Sequence, residues 1–117
     1  MAIEADLLRG YTDTILLRQL ACGDSYGYMI NKRIGEQSGG EIELKEATLY
    51  TAFRRLEHDG FIRSYWGDEN TGARRRYYTL TPEGKLRLEK DAEKWRETRE
   101  ILNKLIGDET DVYETDV

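Results

Sequence analysis

The sequence is poorest in the residues that staple or ligate. Its one cysteine is Cys22, so no internal disulfide framework is expected. One histidine, His58, leaves too few ligands for a structural zinc site. The lone proline is Pro82; there is no Pro-rich linker, internal repeat or low-complexity block. No apolar run approaches the roughly 20 residues of a membrane span. The opening MAIEADLLRG carries acids and no apolar signal segment, which points to a cytoplasmic protein. Catalytic groups are equally thin. His58 closes a predicted helix, where it complements the dipole. Cys22 reads as a small buried apolar residue. The carboxylates scatter over helix faces, and Gly39-Gly40 is a turn, not a phosphate loop. No enzyme activity, cofactor or metal is expected.

What is present is charge. Of 117 residues, 35% are charged and 38% apolar, charge-rich for a globular domain but too apolar for a disordered one. That length fits one small domain with a modest core, which gains from oligomerisation. The net charge of −5 argues at first against a DNA binder. Asp108, Glu109, Asp111, Glu114 and Asp116 account for all of it, with no Lys or Arg after Gly107. The body is neutral, and a local basic patch still suffices to meet phosphates. The acidic stretch 108–117 reads as a solvated tail.

Apolar spacing predicts the elements. Leu7, Leu8, Ile15, Leu16, Leu17 and Leu20 predict a helix near 4–22, interrupted at Gly10, with Thr12 or Asp13 as caps. A second helix over 26–37 follows Asp24 or Ser25 as cap and ends at Ser38-Gly39-Gly40. Residues 41–44 alternate and are either a very short strand or an extended lead-in. A third helix, Lys45 to His58, has Leu49, Ala52, Phe53 and Leu56 on one face and closes at Asp59-Gly60. Two strand-like runs, 61–66 and 75–80, flank a turn-rich segment and predict a β-hairpin. Thr81, Pro82 and Glu83 then supply the N-cap, first position and acidic first turn of a helix reaching Ile106. The expected fold is mainly α with a small β-hairpin: a winged helix-turn-helix domain over 1–80, a dimerisation helix over 81–107 and the tail.

Three side-chain sets carry functional readings. Lys45, Thr48, Tyr50, Thr51, Arg54 and Arg55 lie largely off the apolar stripe of the third helix. Arg reads guanine in a bidentate way, Thr meets a phosphate or a thymine methyl, and a Tyr hydroxyl reaches a phosphate. The plainer reading is a solvated face with Arg54 and Arg55 paired to nearby acids. The hairpin carries Arg74-Arg75-Arg76, with Arg74 and Arg76 on one face and Arg75 on the other. Arg74 and Arg75 are the expected DNA contacts there, helped by Asn70 and Thr71 at the tip. Tyr65, Trp66, Tyr77 and Tyr78 read as cross-strand pairs and core rather than a stacking platform. On the last helix Leu88, Ala92, Trp95, Thr98, Leu102 and Leu105 form a heptad-like seam, which needs a partner; a homodimer would bury it.

Residues 46–62, EATLYTAFRRLEHDGFI, resemble the third-helix signature of PadR-like transcriptional regulators. Residues 72–84, GARRRYYTLTPEG, resemble that family's second wing strand and the start of its last helix, and 26–30, YGYMI, its second helix. The likeness spans about residues 5–106 and is nearest the short subfamily with one C-terminal helix. Ala52 and Ala73 stand where many members have proline. The resemblance implies duplex DNA as partner, a homodimer and a pseudo-palindromic operator with half-sites about one helical turn apart. It also implies repression released by a ligand. Trp95 matches the tryptophan of drug-sensing relatives, whose paired indoles sandwich flat aromatic molecules at the dimer centre. Arg99, Leu7, Leu8 and Tyr11 are the remaining candidates to line that site, and Arg99 would disfavour cationic ligands. The plainer reading of Trp95 is an interface anchor. The alternative function is a winged-helix module that docks a protein through the seam.

Overall fold

Burial follows the predicted apolar stripes most closely in the second and third predicted helices. The computed structural model describes residues 5–67 and 74–107. In chain order these form α1 (Ala5–Leu8), α2 (Thr12–Ala21), β1 (Ser25–Tyr26), α3 (Gly27–Gln37), α4 (Glu46–His58), β2 (Ile62–Trp66), β3 (Arg76–Leu80) and α5 (Pro82–Ile106). The expected contacts Asn70 and Thr71, and the acidic stretch 108–117, lie outside the described residues.

Leu16, Leu17 and Leu20 of α2, Ile30 and Ile34 of α3, and Leu49, Ala52, Phe53 and Leu56 of α4 meet in one core. Ile62, Tyr78 and Leu88 close it from the sheet and α5. Phe53 stacks on Tyr78, ring centroids 4.1 Å apart. The segment before α4 is the extended lead-in, not a strand. Asn31 fixes it by donating to the Leu44 carbonyl at 2.8 Å and accepting from the Leu44 N–H at 3.1 Å.

The sheet has three antiparallel strands in the order β1-β3-β2. The hairpin was expected; β1 was not. Ser25 and Tyr26 pair with Tyr78 and Tyr77, so they serve as strand where a cap was predicted. Asp24 caps nothing either, and instead accepts the Tyr65 hydroxyl at 2.6 Å. At α2 the cap position falls on Tyr11, which makes no side-chain cap bond. Thr12 is already helical, and its hydroxyl donates back to the Leu8 carbonyl at 3.2 Å. Cys22 is exposed, against expectation.

The end of α4 and the start of α5 are fastened by one side chain. The Thr81 hydroxyl donates to the Gly60 carbonyl at 2.7 Å and accepts from the Gly84 N–H at 3.0 Å. Gly84 is required by proximity, because a Cβ there would run into the Phe61 carbonyl oxygen. Beyond Leu88 no described residue of α5 is fully buried, although Asp91 and Trp95 still touch α2 and the turn before it. Among the described residues no helix is long and apolar enough to cross a membrane.

Candidate nucleic-acid interface

Helix α4 presents the face that its sequence predicts. Leu49, Ala52, Phe53 and Leu56 are buried, while Lys45, Thr48, Tyr50, Thr51, Arg54 and Arg55 are exposed. The structure divides five of those six between two grooves. Tyr50 borders a groove of about 600 Å³ between α3 and α4, together with Tyr28, Asn31, Lys32 and Glu46. Lys45, Thr48, Thr51 and Arg55 border another of about 710 Å³, facing Leu8, Arg9 and Thr12. Arg54 stands on the ridge, and its guanidinium donates to Thr51 Oγ1 at 3.4 Å.

Arg55 follows the plainer reading at least in part: its guanidinium donates to Asp13 Oδ1 of α2. Arg54 has no such acid among the ion pairs of the described residues. Tyr50 is wedged over the first turn of α3, where a Cβ on Gly27 would lie 2.6 Å from its hydroxyl oxygen. Sequence reasoning missed Tyr28, which stands 70% exposed at the start of α3. It sits inside the YGYMI run, but only the fold sets it beside Tyr50.

The arginine run separates as alternation predicts. The Arg74 guanidinium lies 4.9 Å over the Trp66 ring, and Arg75 lies 4.8 Å over Tyr26, on the other face. Such stacking holds a guanidinium plane in place at the base of the wing. Arg76 is neutralised instead, by Glu57 at 3.3 Å, and donates to Ser64 at 2.9 Å. Tyr65 and Tyr77 are a cross-strand pair stacked at 5.7 Å, and Tyr26 meets Tyr77 edge-on at 5.4 Å. The hydrogen bond to Asp24 raises the Tyr65 pKa, and burial raises that of Tyr78.

The seam is divided between inside and outside. Leu88, placed on it by the heptad, is buried in the chain's own core, and Ala92 and Thr98 are partly covered. Trp95, Leu102 and Leu105 are exposed. The Trp95 ring meets Tyr11 edge-on at 5.3 Å. Of the other candidate ligand residues, Leu7 is exposed. Leu8 packs at the edge of the core and borders the α4 groove. Arg99 lies among Glu93, Arg96, Glu97 and Glu100 on the polar flank.

Comparison with known proteins agrees with this architecture. The profile of the transcriptional regulator PadR-like family matches residues 16–90. A solved transcriptional regulator from Clostridium thermocellum is 47% identical, covering 86% of this chain and 97% of its own, with a TM-score of 0.79. A PadR family transcription regulator from hypervirulent Clostridium difficile is 39% identical, covering 84% of this chain and all of its own, with a TM-score of 0.76. An uncharacterised protein of Lysinibacillus sphaericus is 39% identical over 101 residues, 86% of this chain and 93% of its own. With its helix-turn-helix, arginine-bearing wing and long terminal helix, the chain belongs to the PadR-like family and is a DNA-binding transcriptional regulator, not an enzyme.

Proposed function

We propose that the protein is a cytoplasmic repressor that grips a pseudo-palindromic operator as a homodimer. Each copy lays α4 in the major groove, with Thr51 and Arg54 toward base edges and Lys45, Thr48 and Tyr50 toward phosphates. Arg74 and Arg75 of the wing, with Asn70 and Thr71, hold the flanking backbone. The α5 seam joins the two copies, and a flat aromatic molecule between paired Trp95 rings releases the DNA. A ligand does this only to the extent that it binds one dimer geometry better than the other. The observation that carries the reading is the outward face of α4, which buries Leu49, Ala52, Phe53 and Leu56 while leaving Thr51 and Arg54 in solvent beside a basic wing.

Enrichment of random duplex DNA on the purified protein, followed by sequencing, tests it. The expected result is a pseudo-palindrome with half-sites about one turn, roughly 34–36 Å, apart. Recovery of no motif, with affinity that vanishes as salt rises, would refute specific readout and favour a protein-docking module.

A further inference from the structure

Four side chains of α2 and α5, joined by one of α4, form a charged bracket beneath the Trp95–Tyr11 contact. Asp13, in the first turn of α2, accepts from Arg55 of α4 through Oδ1 and faces Arg87 of α5 through Oδ2 at 3.8 Å. Arg87 Nε donates to both oxygens of Asp91, one turn further along α5, at 3.0 and 3.2 Å. Its guanidinium also lies 5.1 Å over the Phe61 ring. Asp91 returns to α2 by accepting the Thr14 hydroxyl at 2.8 Å. Two arginines and two aspartates cancel in charge, and Asp13, Arg87 and Asp91 are mostly shielded from solvent.

An ion pair at the edge of solvent adds only modest stability by itself. Position gives this one its interest. Asp13 is shared by an arginine from α4 and another from α5. Arg55 sits in the last turn of α4. Asp91 lies one turn before Trp95, where α5 passes from the core at Leu88 to the exposed seam. Tyr11, which touches Trp95, is only two residues before Asp13. A shift of α5 therefore reaches Arg55 by two routes, through Arg87 and through the start of α2.

We propose that Asp13 is a positioning residue that fixes the angle between α4 and α5, and that Arg55 serves DNA binding through Asp13 and not by touching DNA. The proposal rests on the reading that α4 enters the major groove. It assigns the two arginines of α4 different work: Arg54 faces the duplex, and Arg55 faces its own fold. Closure of the seam, or a ligand against Trp95 and Tyr11, then acts on operator affinity through this bracket, and DNA acts back on the seam to the same extent.

The test uses the full chain and the operator recovered by enrichment. Asp13→Asn, Arg55→Ala and the double variant are titrated over a salt series against operator and random duplex. Each single variant should weaken operator binding about tenfold, and the double should be no worse than the poorer single. Random-duplex affinity and both salt slopes should stay as in the parent. A slope lowered by about 0.9 per copy in Arg55→Ala marks a phosphate contact and overturns the proposal. So does tighter binding by Asp13→Asn, which would mean that Asp13 holds Arg55 back from DNA. A readout without DNA separates this from failure of the DNA reading. In a Trp66→Phe background, Asp13→Asn and the gentler Arg55→Lys should each shift Trp95 emission. Unchanged emission in both overturns the coupling even when an operator is found. A shift without any recovered operator would keep the bracket as a link between helices and overturn its role in DNA binding.

Discussion

Truncating Leu102 to alanine isolates the contribution of one seam side chain. Leu102 is 45% exposed, so just under half of its surface is left for a second copy to cover. Full burial of a leucine is worth about 1.5–3 kcal/mol, so covering the remainder contributes about 1 kcal/mol per copy. A two-fold axis repeats the loss, giving about 2 kcal/mol and about a 30-fold rise in the dimer dissociation constant. Sedimentation equilibrium over a dilution series reads this directly. Leu86→Ala is the internal control. Leu86 is 62% exposed, but it lies about 180° around the helix from Trp95, so its truncation should leave association unchanged. If Leu102→Ala dimerises like the parent, or Leu86→Ala weakens the dimer equally, the seam is not the interface.

Three other outcomes are expected. Arg74→Ala should weaken binding to every duplex and lower the salt slope by about 0.9 per copy; a slope unchanged in gel-shift titrations would remove the wing from the interface. Gly84→Ala gains about 1 kcal/mol of helix propensity but drives a methyl into the Phe61 carbonyl. Overpacking of about 1–3 kcal/mol or more should win, lowering the melting temperature by about 4 °C per net kcal/mol, and a neutral or higher value would contradict the close approach. Tyr65 and Tyr78 both have raised pKa values, from the Asp24 hydrogen bond and from burial. The native state then holds more protons than the unfolded chain, so their stabilisation is full below about pH 10 and is lost as pH climbs through the folded values. Thermal melts above that pH should show a loss of stability, smaller in Tyr65→Phe.

Where one chain segment carries its own pattern, the sequence was readable. Leu49, Ala52, Phe53 and Leu56 repeat at helical spacing, and α4 buries those four. Thr81-Pro82-Glu83 announced the start of α5, and the Thr81 hydroxyl makes the predicted cap bond. The misses depend on partners distant in sequence. Ser25 and Tyr26 are too short to show alternation and become a strand only because β3 lies beside them. The Arg55–Asp13 pair joins residues 42 positions apart. The heptad of α5 reports that a side chain will be covered, not by which copy, so Leu88 in the core and Leu102 in solvent carry the same signature. Among the candidate site residues, the exposed face of α4 and the alternation of Arg74 and Arg75 were legible. The two grooves that divide that face were not, because the groove walls come from α1, α2 and α3.

The clasp at Thr81 and Gly84 makes α5 a lever arm with a fixed root. Its 25 residues extend about 37 Å at 1.5 Å each. A tilt of about 5° at that root swings the free end by about 3 Å, close to the 3.4 Å rise of one base step. A pair of such arms, back to back, would act as a caliper whose opening is graduated in base pairs. In such a caliper one hydroxyl and one missing methyl would set the pivot, and the ties from Arg87 and Asp91 to α2 would brace the arm.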